Sequence, residues 1–136
     1  MPQKLIWITG GSGGIGAALA REYARKGYRI ILSARRQEAL ERSAEECRKA
    51  GAAEVNWLLL DMTDEKAIAE QALEVEKKWG TPDVLINNAG ISQRSRIIET
   101  EMSVYHQIFA VDFFGAIALT KALLPGMLAR KSGQVV

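Results

Sequence analysis

Apolar residues fall along this chain in two alternating forms, short continuous runs and stripes of helical spacing. Leu5 to Thr9, Arg29 to Ser33, Glu54 to Leu60 and Val84 to Asn87 read as strands; Ile15 to Lys26, Gln37 to Ala50 and Asp64 to Trp79 read as helices. In the first helix Ala17, Ala20, Tyr23 and Ala24 share one side, Arg21, Arg25 and Lys26 the other, and Gly27 is placed to cap it. Asp64 opens the third helix and Gly80-Thr81-Pro82 ends it. The runs Ile30-Ile31-Leu32 and Trp57-Leu58-Leu59-Leu60 do not alternate with polar residues, the pattern of a parallel sheet covered by helices on both faces. A βαβαβαβ series with right-handed crossovers predicts an α/β fold, a Rossmann-type doubly wound parallel sheet. Its ligands are expected at the strand carboxyl ends, where strand order reverses.

A long helical region follows from about Glu101 to Arg130, with a break expected near Pro125. Gln134-Val135-Val136 then reads as the opening of a fifth strand, after which the sheet is expected to be incomplete. Apolar residues occupy nearly the whole circumference of Ile108 to Leu124. This predicts a helix buried on two sides, one facing the sheet and the other available to a second subunit. Asp112, Gly115, Thr120 and Lys121 interrupt that stretch, so it is read as a buried helix short of the roughly 20 apolar residues of a membrane span.

Composition narrows the function classes. The 136 residues have the length of one domain, with no repeat, linker or low-complexity segment. Lys plus Arg number 18 against 16 acidic residues, a net charge of +2 without clustering, which gives no nucleic-acid or membrane-binding patch. Cys47 is the only cysteine and shares a helix face with Leu40 and Ala44, so it reads as a core residue; no disulfide and no metal site is expected. His106 reads as a polar helix position. Met1-Pro2-Gln3-Lys4 lacks the features of an export signal, and a cytoplasmic location is expected.

The chemistry gathers at the ends of the strands. Thr9-Gly10-Gly11-Ser12-Gly13-Gly14-Ile15-Gly16 joins the first strand to the first helix. Glycine there admits positive φ and close backbone approach, while the free amides of the helix suit a pyrophosphate. The run fits both Gly11-x-Gly13-x-x-Gly16 and a spacing on Thr9, Gly10, Gly14 and Gly16, and the turn alone does not choose between them. After the second strand stands Ser33-Ala34-Arg35-Arg36. An acid here accepts from ribose hydroxyls, whereas arginine suits a 2′-phosphate, so Arg35 favours NADP(H) over NAD(H). Asp61-Met62 follows the third strand, with Asp61 placed to accept from an adenine amino group. Asn87-Asn88-Ala89-Gly90 ends the fourth and leaves room for a flat group against the main chain.

These motifs, in this order, resemble the short-chain dehydrogenase/reductase family over essentially the whole chain, and the resemblance selects the spacing on Thr9, Gly10, Gly14 and Gly16. It implies that Gly10, Ser12, Gly14, Ile15 and Gly16 form the pyrophosphate turn, that Arg35 meets the 2′-phosphate, and that Asp61 and Met62 meet the adenine. Asn88, Ala89 and Gly90 would lie along the adenosine ribose and nearby main chain. Two departures stand out. Asp112 occupies the position where the family carries an Asn that supports a helix irregularity and a proton-relay water, and Asp lacks the amide donor. The family's catalytic Ser and Tyr-x-x-x-Lys follow the fifth strand, beyond Val136, and none of Tyr23, Tyr28 and Tyr105 has Lys four residues on. The resemblance therefore implies the cofactor-binding part of an NAD(P)-dependent oxidoreductase acting on a carbonyl or alcohol, inactive by itself and oligomeric when intact. Arg94 and Arg96 are candidates for the border of a substrate mouth. The competing reading is a non-catalytic NADP(H)-binding sensor or scaffold module.

Overall fold

A computed structural model describes residues 3–136; Met1 and Pro2, part of the segment read above for export features, lie outside the described residues. Five parallel strands form one sheet in the order β3-β2-β1-β4-β5, with β1 Leu5–Thr9, β2 Arg29–Ala34, β3 Glu54–Leu59, β4 Val84–Ile86 and β5 Gln134–Val135. The crossovers are α1 Gly14–Arg25, α2 Gln37–Ala50 and α3 Glu65–Trp79. A long helical run then leads to β5, composed of α4 Met102–Phe109, a π-helical segment Ala110–Gly115, and α5 Ala116–Arg130.

Alternation along the central strand divides the core into two layers. Ile6 and Ile8 of β1 face Ala20 and Ala24 of α1 and Leu40, Ala44 and Cys47 of α2. Leu5 and Trp7 face Ile68, Ala72 and Val75 of α3 and Leu119 and Leu123 of α5. Trp7 is fully buried, and its indole N–H donates to Ser33 Oγ at 2.9 Å, so the largest core side chain leaves no polar atom unpaired. Burial pushes the Cys47 thiol up to about 11, as befits a core residue.

Helix ends follow the expected chemistry. The Asp64 carboxylate accepts from Ala67 N–H at 3.0 Å at the start of α3, and Gly51 closes α2 in the left-handed region. The strand ends remote from Thr9 are tied by side chains. Asp83 accepts from Leu5 N–H at 2.8 Å, while the Arg130 guanidinium donates to the carbonyls of Thr81 and Pro82 at 2.8 and 2.9 Å.

Two expectations are corrected. The chain stays helical through Pro125, and the irregularity falls at Ala110–Gly115, around the Asp112 position where the resemblance implies one. A proline perturbs the preceding turn but does not by itself end a helix that packing holds in place. Within the chain the long helix is buried on its sheet-facing side, and the side expected to be available to a second subunit is exposed. Val111, Gly115, Leu119, Leu123 and Met127 recur every four residues against the sheet layer, whereas Phe109, Phe113, Phe114, Ile117 and Leu128 are exposed. Finally, β3 is an edge strand, so the Trp57-Leu58-Leu59 run is only partly covered and Leu59 is exposed. By length and composition alone, the 29-residue helical run Met102–Arg130 is also long and apolar enough to cross a membrane, because its polar interruptions are few.

Candidate functional site

Strand order reverses at β1, which has β2 on one side and β4 on the other. Beyond the carboxyl ends of these strands lies a cavity of about 740 Å³, within the usual range for small-molecule sites of roughly 300–1,000 Å³.

The first wall is the β1–α1 turn. Gly10 (φ +65°) and Gly14 (φ +56°) hold it in the left-handed region. Gly13 opens α1 without a capping side chain, and the first turn carries no acid, so the leading amides of the helix keep their capacity for an anion. A Cβ on Gly13 or Gly14 would meet nothing within 4 Å, and both residues line the cavity, so the space that side chains would fill is open to it.

A clasp fixes this turn to the end of β4. Thr9 Oγ1, buried, accepts from the backbone N–H of Asn88 at 3.1 Å and of Ala89 at 3.0 Å and donates to Ile86 C=O at 3.4 Å. Asn88 Nδ2 returns the contact by donating to the carbonyls of Thr9 and Gly10 at 3.1 and 3.2 Å. Gly16 serves the same junction. A Cβ there would lie 2.3 Å from Gly10 C=O and 2.5 Å from Asn88 Nδ2.

Along the β2 and β3 ends, Ala34, Arg35, Arg36, Asp61 and Met62 complete the wall. Neither Arg35 nor Arg36 forms an ion pair among the described residues, so their charge is available to a ligand. Asp61 Oδ1 accepts from the Thr63 backbone N–H at 2.9 Å and from its hydroxyl at 2.8 Å. The backbone bond first, then the hydroxyl, and the charge of Arg35 to a lesser degree hold this carboxyl below its ordinary value, so it is an acceptor with Oδ2 unbound.

The π segment closes the remaining side. Val111 lines the cavity. Gly115 packs so closely on the turn after β3 that a Cβ would stand 2.4 Å from Met62 C=O. Asp112 Oδ1 accepts from Ile91 N–H at 2.8 Å, pinning the loop that follows Gly90.

Nine of the predicted residues therefore line one cavity: Gly10, Ser12, Gly14, Arg35, Asp61, Met62, Asn88, Ala89 and Gly90. Three do not. The Ile15 side chain is exposed, Gly16 is a buried packing contact, and Asp112 holds backbone from outside the cavity wall. Arg94 and Arg96 line neither this cavity nor the smaller one beside Ile91, and Arg96 pairs with Glu99. Missed in the sequence were the Thr9 hydroxyl, the Ser43 hydroxyl that donates to Gly11 C=O at 2.7 Å, and the bond from Asn87 Nδ2 to Thr120 Oγ1 at 3.0 Å. A small polar residue inside the apolar stripe Leu40-Ser43-Ala44-Cys47 was the one available signal for Ser43.

The sequence model of the short chain dehydrogenase family matches residues 4–136. The chain belongs to the short-chain dehydrogenase family. Among the curated proteins it is 37% identical over 139 residues to "Dehydrogenase/reductase SDR family member 7" of Mus musculus, covering 100% of this chain and 41% of that protein. It is 40% identical over 137 residues to "Dehydrogenase/reductase SDR family member 7B" of Bos taurus, covering 97% of this chain and 42% of that protein. A short-chain dehydrogenase from Streptomyces avermitilis is 36% identical with a TM-score of 0.92, over 99% of this chain and 48% of that one. A metagenomic short-chain oxidoreductase solved in complex with NADP is 33% identical with a TM-score of 0.92, over 97% and 60%. The chain thus spans less than half the length of these curated relatives. The short-chain dehydrogenase family consists of NAD(P)-dependent oxidoreductases, and the cavity fits such a dinucleotide: a glycine cradle, a free helix terminus, unpaired arginines and a carboxylate acceptor lie along one wall.

Proposed function

We propose that this chain is the cofactor-binding part of an oxidoreductase that takes NADP(H) in preference to NAD(H) and interconverts a small-molecule carbonyl and alcohol. The observation that carries the proposal is the unpaired Arg35-Arg36 at the end of β2, where an acid would otherwise receive a ribose. When bound, the nicotinamide would give hydride to a carbonyl or take it from an alcohol.

The chain's own residues bind and orient. The amides of Ser12 to Ile15 and the helix terminus receive the pyrophosphate, and Arg35 pairs with the 2′-phosphate. Asp61 Oδ2 accepts from the adenine amino group, and Asn88-Ala89-Gly90 lies along a ribose. Asp112 acts one step back, by holding the Ile91 amide and with it the loop that follows Gly90. No observation favours a non-catalytic sensor. The exposed apolar side of the long helix supports assembly through Phe109, Phe113 and Ile117 with a second copy, to be read by sedimentation.

Titration of the 136-residue chain with NADPH and NADH, followed by nucleotide fluorescence, tests the cofactor assignment. NADPH binds more tightly, and Arg35→Ala lowers its affinity by about tenfold while leaving NADH nearly unchanged. Equal affinity for the two, or an equal loss for both in the variant, refutes it.

A further inference from the structure

A second cavity, of about 280 Å³, shares Ile91 as a wall with the dinucleotide cavity. One side is the loop Ile91-Ser92-Gln93. The other is a single face of α4, where Ser103 and Gln107 stand one helical turn apart, as do Val104 and Ile108. Among the described residues no charged side chain lines it.

Its chemistry is consistent around the wall. Ile91, Val104 and Ile108 give a half-buried apolar floor, while Gln93, Ser103 and Gln107 give an exposed polar rim. The Gln93 and Gln107 amides make no hydrogen bond among the described residues, and Ser103 Oγ has only a 3.5 Å contact to Glu101. Amides and hydroxyls offer both donors and acceptors, and each aliphatic floor residue offers a surface for C–H groups. A carboxylate or phosphate entering here finds no cation among the described residues of the lining, and a purely apolar group uses the floor without engaging the amides of the rim.

We infer that this cavity is a specificity subsite for a small, uncharged, hydroxyl-bearing substrate, with Gln93, Ser103 and Gln107 reading its hydroxyls and Ile91 shared with the dinucleotide cavity. The inference rests on the proposed function for the adjoining cavity being the dinucleotide site. Asp112, by accepting from the Ile91 amide, ties the shared wall to the π segment and so fixes the spacing between the two cavities.

The test uses the 136-residue chain, ¹⁵N-labelled, with and without NADPH. Xylitol, sodium xylonate and cyclohexanol are titrated separately while the side-chain amides of Gln93 and Gln107 and the backbone amide of Ile91 are observed by NMR. Xylitol is expected to shift all three signals saturably in the millimolar range, with xylonate and cyclohexanol much weaker. Gln107→Leu, on an exposed helix face, is expected to weaken xylitol by up to about tenfold, the loss of one hydrogen bond, without changing NADPH affinity. Ser103→Ala serves as the second variant and is expected to act in the same direction. Absence of saturable xylitol shifts, or equal shifts from cyclohexanol or xylonate, overturns the subsite. Because NADPH binding is read in the same samples, loss of the subsite is distinguished from failure of the cofactor reading.

Discussion

Two glycines in one turn should respond to the same substitution in opposite ways. A Cβ on Gly16 would lie 2.3 Å from Gly10 C=O and 2.5 Å from Asn88 Nδ2. Neither neighbour can yield freely, because the first is backbone and the second already donates to Thr9 and Gly10. Gly16→Ala must therefore lift α1 from the sheet or break the clasp. Overpacking of this kind costs about 1–3 kcal/mol, and each lost Asn88 bond about 1 kcal/mol. The better helix propensity of Ala returns about 1 kcal/mol. The net is about 2 kcal/mol, which for a chain of this size lowers the melting temperature by roughly 8 °C.

A Cβ on Gly13 meets nothing within 4 Å, and the residue is extended, at φ −173°. Ala is a poorer N-cap than Gly by some tenths of a kcal/mol, and the reduced freedom of the unfolded chain offsets this by about 0.4–1 kcal/mol. Gly13→Ala should melt within about 2 °C of the parent. Its methyl group nevertheless enters the cavity, and NADPH affinity should fall by about tenfold or more. Circular dichroism melts and fluorescence titrations read the two quantities separately. A Gly16→Ala protein as stable as the parent, or a Gly13→Ala protein with undiminished affinity, refutes the assignment of one glycine to packing and the other to ligand space.

Thr9→Val keeps shape but removes the acceptor for Asn88 and Ala89, and calorimetry should show a loss of about 2–4 kcal/mol that Thr9→Ser largely restores. Asp112→Ala should speed hydrogen exchange at the Ile91 amide by about tenfold, whereas Asp112→Asn retains an acceptor oxygen and stays near the parent; unchanged exchange in the alanine variant contradicts the pinning role. Asp61 is depressed in the folded protein, chiefly by the Thr63 backbone bond, so the unfolded chain binds its proton more readily. The stabilisation is complete above the ordinary carboxylate value and is lost as pH falls through the lower folded-state value. Asp61→Asn should flatten that part of an acid titration of stability, and a denaturation series from neutral to low pH checks it.

The fold was legible because local pattern and layer agree. Ile6 and Ile8 pack on α1 and α2 while Leu5 and Trp7 pack on α3 and α5, so a strand apolar at every position can only be covered on both faces. The same reasoning failed at Trp57-Leu58-Leu59, because edge position is set by strand order, which hydrophobicity does not encode. At the long helix the all-round apolar circumference divides into a sheet-facing side buried within the chain and an exposed side, the one expected to be available to a second subunit. Proline drew the expected break to Pro125, where the helix continues; the widened turn carries no proline and falls at Ala110–Gly115, around the Asp112 position that the resemblance marked. There Gly115 allows the helix to approach Met62 C=O, and Asp112 reaches the Ile91 amide.

The site divides along the same line. Motifs at strand ends could be ordered from the sequence because a parallel sheet brings every carboxyl end to one edge, so residues far apart in the chain become neighbours without any pairing having to be known. What holds them in place was not legible. Thr9 clasps Asn88 from 79 positions away, and Asp112 reaches back 21 positions to Ile91. Each of these bonds ends on a backbone amide, a partner identical in every residue type and so without a signature in the chain. The ligand-facing residues are therefore recognised by kind, and the positioning residues by geometry alone. Asp112 joins the two groups: the sequence marked it as a departure in the relay, and the structure gives it a backbone donor at 2.8 Å that an ionised carboxylate accepts as well as an amide oxygen does.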